Sequence, residues 1–91
     1  MYVVYCVDKP NHLPVRLANR DAHLAHARAN LDRILIAGPM LTEDGTGMVG
    51  SMFVFTMDSR EEVERHMAED PYVKAGLFES VLIRPFKKVL P

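Results

Sequence analysis

Two stretches of this chain, YVVYCV (2–7) and SMFVFTM (51–57), are apolar at consecutive positions rather than at alternate ones. Successive side chains of a strand point to opposite faces. Strands of this kind therefore need cover on both sides, and the rest of the chain must supply it. RILIAG (33–38) reads as a further strand, closed by Gly38 and Pro39, and LFESVLIRPF (77–86) as the last one. Residues 14–32, PVRLANRDAHLAHARANLD, read as a long helix that accepts Pro14 in its first turn. DSREEVERHMAE (58–69) opens with Ser59 and, three residues on, Glu62, a capping pair with acids in the first turn. PYVKAG is one more turn of helix, ending at Gly76, where a left-handed cap suits glycine. MLTEDGTGMVG (40–50), with its three glycines, reads as a turn-rich loop and KKVLP as a tail.

The resulting order, β-α-β-β-α-β, is that of a ferredoxin-like α+β fold: a four-stranded antiparallel sheet with its helices on one face. Two helices can cover only that one face. The other would be a large apolar patch, and the simplest cover is the same face of a second copy. The pattern thus predicts a homodimer, or a higher homo-oligomer, packed sheet to sheet. The alternative is that the tail or the glycine-rich loop folds over the patch.

With 91 residues, the chain is expected to form one small domain over 1–91. A domain of this size buries only about 60–65% of its unfolded surface, so it has little stability to spare. A net charge of −1 and the absence of any long Lys/Arg run give no electrostatic basis for binding nucleic acid or an anionic membrane. Cys6 is the one cysteine, which excludes an internal disulfide and a finger-type zinc site. MYVVYCVDKP has no basic leader of the secretory type, and no apolar run approaches the roughly 20 residues of a membrane span. These features predict a soluble, cytoplasmic protein.

The long helix is unusual in its polar residues. At about 100° per residue, Leu17, Leu24 and Leu31 form one stripe and Ala18, Ala22, Ala25 and Ala29 another. The short arc between them, with Asp21, Arg28 and Asp32, reads as a solvent face. The long arc holds Arg16, Asn19, Arg20, His23, His26 and Asn30. It is either a second wet face or the lining of a polar pocket, and the wheel does not choose. His23 and His26 lie three apart but have no Asp, Glu or Cys in a recognised ligand spacing, so no metal is expected. His66, among Glu62, Glu64 and Glu69, reads as a solvated surface residue.

In EDPYVKAG (69–76), Asp70 has a sufficient local reading as the N-cap of a helix that Pro71 opens. It has a second reading as the partner of a histidine. A carboxylate on one ring nitrogen fixes the tautomer and stabilises the imidazolium, which makes a general base or acid.

Five segments together resemble the YciI-like (YCII-related) family of the dimeric α+β barrel superfamily. They are YVVYCVDKP, RLANRDAHLAH, LIAGPM, GSMFVF and DPYVKAGLFESVLIRPFKKV, in order along nearly the whole chain. The resemblance implies that the family's His–Asp pair falls on His23 and Asp70. It implies substrate contacts from Arg16, Arg20, Ser51 and Tyr72, with Gly38 and Pro39 shaping the pocket wall. It further implies a cofactor-free enzyme of lyase or isomerase type acting on a small, cyclic or anionic metabolite. The competing expectation is a non-catalytic module that binds a small molecule or only dimerises. No nucleophile elbow, phosphate loop or nucleotide fingerprint is present.

Overall fold

The two strands that need cover on both faces take the two central places in the sheet. The computed structural model describes residues 1–91. Its elements are β1 (Tyr2–Asp8), α1 (Leu13–Arg28), a 3-10 turn (Leu31–Arg33), β2 (Ile34–Leu41), β3 (Met48–Phe55), α2 (Arg60–Ala68), α3 (Pro71–Lys74) and β4 (Phe78–Pro85). The strand order is β2-β3-β1-β4, with every neighbouring pair antiparallel. This is the ferredoxin-like α+β arrangement. No helix is long and apolar enough to cross a membrane.

The helix-side face is the core. Val4 and Cys6 of β1 lie opposite Phe53 and Ser51 of β3, and Phe55 lies opposite Tyr2. Val4, Cys6, Phe53 and Phe55, with Met57 and with Val63 and Met67 from α2, are almost wholly buried, and Tyr2 packs against them partly buried. Each large side chain contributes roughly 1.5–3 kcal/mol by leaving water. The strands approach closely beside Ser51, where a Cβ on Gly50 would collide with the carbonyl of Cys6. The opposite face carries Val3 and Tyr5 beside Val54 and Met52, with Ile36 and Leu82 on the flanking strands. Tyr5, Ile36 and Leu82 remain about half exposed.

Three boundaries differ from the sequence expectation, each for a physical reason. The second strand does not stop at Gly38 and Pro39 but runs to Leu41, with Pro39 paired to Ser51. It is an edge strand, where a residue without an N–H is tolerated. The third strand begins earlier, at Met48, which leaves a six-residue turn, 42–47, in place of the longer loop. The long helix ends at Arg28, not at residue 32. There the side-chain amide of Asn30 donates to the carbonyl of His26 at 2.8 Å and occupies an acceptor that a continuing helix would use. The capping features hold: Ser59 accepts from the Glu62 N–H at 3.2 Å, and Gly76 follows α3 at φ +70.

Candidate functional site

The first helix turns its long polar arc towards the sheet. Arg16 is its one fully buried residue, while Leu17 and the alanine stripe are exposed. A buried charge is tolerated only when paired, and Arg16 is paired thoroughly. Its Nε and Nη2 donate to the two oxygens of Asp8, each at 2.8 Å, and Nη2 also donates to Ser51 Oγ at 2.9 Å. Burial works against the guanidinium charge, but the Asp8 bonds and charge more than restore it, and the pKa lies above the ordinary value.

Asp70 is held by its backbone. It precedes Pro71, which disfavours helical geometry there, and it sits extended at φ −65, ψ 126 as the N-cap of α3. Its Oδ1 accepts from the Tyr72 N–H at 2.9 Å. The same carboxylate meets His23 Nδ1, with Oδ1 at 2.9 Å and Oδ2 at 3.0 Å. Both groups are largely removed from water, the side chains being 12% and 1% exposed. An ionised carboxylate only accepts, so Nδ1 carries a ring hydrogen, and in the neutral imidazole Nε2 then holds the lone pair. Nothing in the protein bonds Nε2.

Tyr72 joins the two polar clusters. Its ring stacks on His23 with centroids 4.0 Å apart and planes 13° from parallel. The guanidinium carbon of Arg16 lies 4.7 Å from the Tyr72 ring centroid. Burial raises the Tyr72 phenol pKa, against the opposing pull of Arg16.

These groups border one cavity of about 400 Å³ between α1, β2 and β3. Arg16, Arg20, His23, Gly38, Pro39, Ser51 and Tyr72 all line it; Asp70 stands behind His23. Gly38 would have room for a side chain, so neither crowding nor backbone conformation requires glycine there. Most of the other lining residues are apolar, among them Leu24, Ile34, Met48 and Phe53. No carboxylate lines the cavity, and Arg20 and Arg28 have no ion-pair partner. Arg28 is therefore not confined to a solvent face, as the wheel suggested. Asp8 was not anticipated as part of the arrangement: it lies eight residues from Arg16 across a turn, a separation with no sequence signature.

The expectation for His66 is corrected. It is 5% exposed rather than solvated, because Val63, His66 and Met67 share the core face of α2. Its ring stacks on His26 at 4.4 Å and meets Phe55 edge-on at 4.9 Å, and its Nδ1 has no partner. Burial first, then the neighbouring His26 and Arg33, push its pKa down to about 4.

Comparison with known proteins places this geometry in context. The model of the YCII-related domain matches residues 1–87. Protein YciI of Escherichia coli O6:H1 is 41% identical over 98% of each chain. A Haemophilus influenzae protein is 37% identical over 97% of each. Among solved structures, the 5-chloro-2-hydroxyhydroquinone dehydrochlorinase of Burkholderia phenoliruptrix, in complex with 2,5-dihydroxybenzoquinone, superposes with a TM-score of 0.88. It is 33% identical and the match covers 94% of this chain and 92% of that one.

Proposed function

This chain belongs to the YCII-related domain family, and on that premise we propose that it is an enzyme of lyase or isomerase type that moves a proton on a small metabolite. His23 Nε2 is the base that takes the proton and the acid that returns it. Asp70 orients the ring and stabilises the imidazolium formed in between. The observation that carries this reading is the 2.9 Å contact between Nδ1 and the buried carboxylate, with Nε2 left free on a ring that borders the cavity. The stack on Tyr72 fixes the imidazole plane, so little reorganisation is needed when its charge changes.

A cavity of about 400 Å³ with a mostly apolar lining suits a molecule of one ring. The dehydrochlorinase relative, whose structure is a complex with 2,5-dihydroxybenzoquinone, supports a small-ring substrate for this chain as well. Arg20 and Arg28 favour an anionic substituent at the mouth of the cavity.

The test reads proton transfer directly. Small cyclic ketones, lactones and hydroxyquinones, 2,5-dihydroxybenzoquinone among them, are incubated with the protein in D2O, and deuterium entering carbon positions is followed by NMR. Wild-type protein is expected to accelerate exchange in at least one of them, and His23→Gln to abolish the acceleration. Acceleration that survives in His23→Gln would sink the reading.

A second copy of the chain covers the open sheet face, where Tyr5, Ile36 and Leu82 remain about half exposed. Light scattering is expected to give a dimer at micromolar concentration; a stable monomer there removes this element of the proposal.

A further inference from the structure

We infer that Ser51 is the oxyanion donor of this site, so that the substrate is an enolisable carbonyl compound whose carbonyl oxygen rests on the Ser51 hydroxyl. This rests on the reading of His23 as the proton-transfer group and extends it to the atom that receives the charge.

The argument begins with a count of hydrogens. A serine hydroxyl has one hydrogen to donate and two positions at which to accept. Ser51 Oγ uses an accepting position for Arg16 Nη2, at 2.9 Å. A guanidinium cannot accept, so the hydroxyl hydrogen does not point at Arg16. No other protein atom takes it, and Ser51 lies in the wall of the cavity at 2% exposure. A buried donor without an acceptor costs free energy. A substrate oxygen in the cavity removes that cost.

The donor is also strengthened and held still. Accepting from a cation polarises the O–H bond. Arg16 cannot swing away, because Asp8 grips it through two bonds and its guanidinium carbon lies 4.7 Å from the Tyr72 ring centroid. Asp8 and Arg16 are thus positioning residues that act through Ser51. No carboxylate borders the cavity to repel an oxyanion. A donor preorganised in a dry site is worth far more than the same donor in water.

The chemical step balances without a further reactant. Nε2 of His23 takes a proton from the carbon next to the carbonyl. The C–H electron pair becomes the new C=C bond, and the carbonyl π pair moves onto oxygen, which Ser51 O–H holds. Where a C=C is conjugated with the enolate, the oxygen pair re-forms the carbonyl and Nε2 returns the proton to the far carbon of that system, which completes an isomerisation. Where the β carbon carries a leaving group, the oxygen pair re-forms the carbonyl and the enolate C=C pair becomes a new C=C to the β carbon. The group departs with its bonding pair, and Nε2 passes its proton to that group or to solvent, which completes an elimination.

The test uses para-nitrophenol, whose phenolate imitates an enolate oxygen on a ring, and para-nitroanisole as an uncharged control of the same shape. Affinities are measured by absorbance and calorimetry at mildly alkaline pH for wild type, Ser51→Ala and His23→Gln. Wild type is expected to favour the phenolate over the anisole. Ser51→Ala should weaken phenolate binding by about ten- to a hundredfold, as loss of a bond to a charged group does, and leave the anisole unchanged. His23→Gln should retain the phenolate preference. Retention there, together with an absence of deuterium wash-in for wild type, would leave the oxyanion donor standing while removing the proton-transfer role. The inference is overturned if wild type shows no phenolate preference. It is equally overturned if Ser51→Ala binds the phenolate as wild type does, or if both probes weaken together.

Discussion

Two imidazoles in this molecule are alike in almost everything except what stands behind them. His23 and His66 are both mostly shielded from water, and each lies against another ring, Tyr72 in one case and His26 in the other. His23 has a carboxylate 2.9 Å from Nδ1 and a cavity beside its ring. His66 has no partner for Nδ1, and its pKa is pushed down to about 4. Asp70 acts on His66 too, favouring its charge, but too weakly to offset burial, His26 and Arg33. Enclosure alone thus makes a histidine an inert packing element. Enclosure with a directed carboxylate on one side and open space on the other is what the proposed role of proton carrier requires of His23.

The largest effect should come from exchanging the two histidines' fates in function. His23→Gln is expected to lower the rate of any proton transfer this protein catalyses by about 10²–10⁴-fold, while His66→Phe leaves that rate within about threefold. Parallel rate measurements on the two variants decide it. Equal losses in both would remove the distinction between the rings.

A smaller effect concerns acid stability. The folded value for His66 is about 4 against an ordinary value of 6.5. Between those pH values the unfolded chain binds more protons at this position than the folded one, so stability rises with pH across the window. Stability from this source is complete above the ordinary value and is lost progressively as the pH falls towards 4. The loss is at most about 3 kcal/mol by the same linkage. Urea unfolding over a pH series should show this acid limb in wild type and a flatter one in His66→Phe. An unchanged slope in the variant would assign the limb to other groups.

The division between the two histidines was only half legible in the sequence. The central strands were readable because apolar residues stand on both of their faces. The caps at Ser59, Asp70 and Gly76 were readable because each is a local rule. His66 was misread because α2 is nine residues long, and its glutamates outweigh the pattern of Val63, His66 and Met67. Pro39 was read as a stop because nothing local says that β2 is an edge strand. The end of α1 was missed because Asn30 stops it through a side-chain bond rather than through glycine or proline. In the site, Tyr72 and Ser51 entered through family resemblance. The Asp8–Arg16 pair was invisible because its partners meet only after the first helix folds back onto the sheet.

The smallest effect, and the sharpest test of what stands behind His23, is at Asp70. The Oδ1 atom alone serves both the Tyr72 N–H and His23 Nδ1, each at 2.9 Å. Asp70→Asn can keep that oxygen on the Tyr72 N–H, which preserves the cap. Its amide nitrogen then replaces Oδ2, which stands 3.0 Å from Nδ1, and a donor facing a donor is unfavourable. The ring is expected to move its hydrogen to Nε2, with Nδ1 accepting from the amide. Asp70→Ala, by contrast, leaves both the Tyr72 N–H and Nδ1 without an acceptor. Loss of the cap alone costs about 0.5–2 kcal/mol. The asparagine variant should therefore be more stable than the alanine variant by about 1 kcal/mol, while nitrogen NMR shows its His23 ring in the opposite tautomer from wild type. If the ring keeps its hydrogen on Nδ1 in Asp70→Asn, the carboxylate does not set the tautomer, and Asp70 is left as a helix cap beside a histidine.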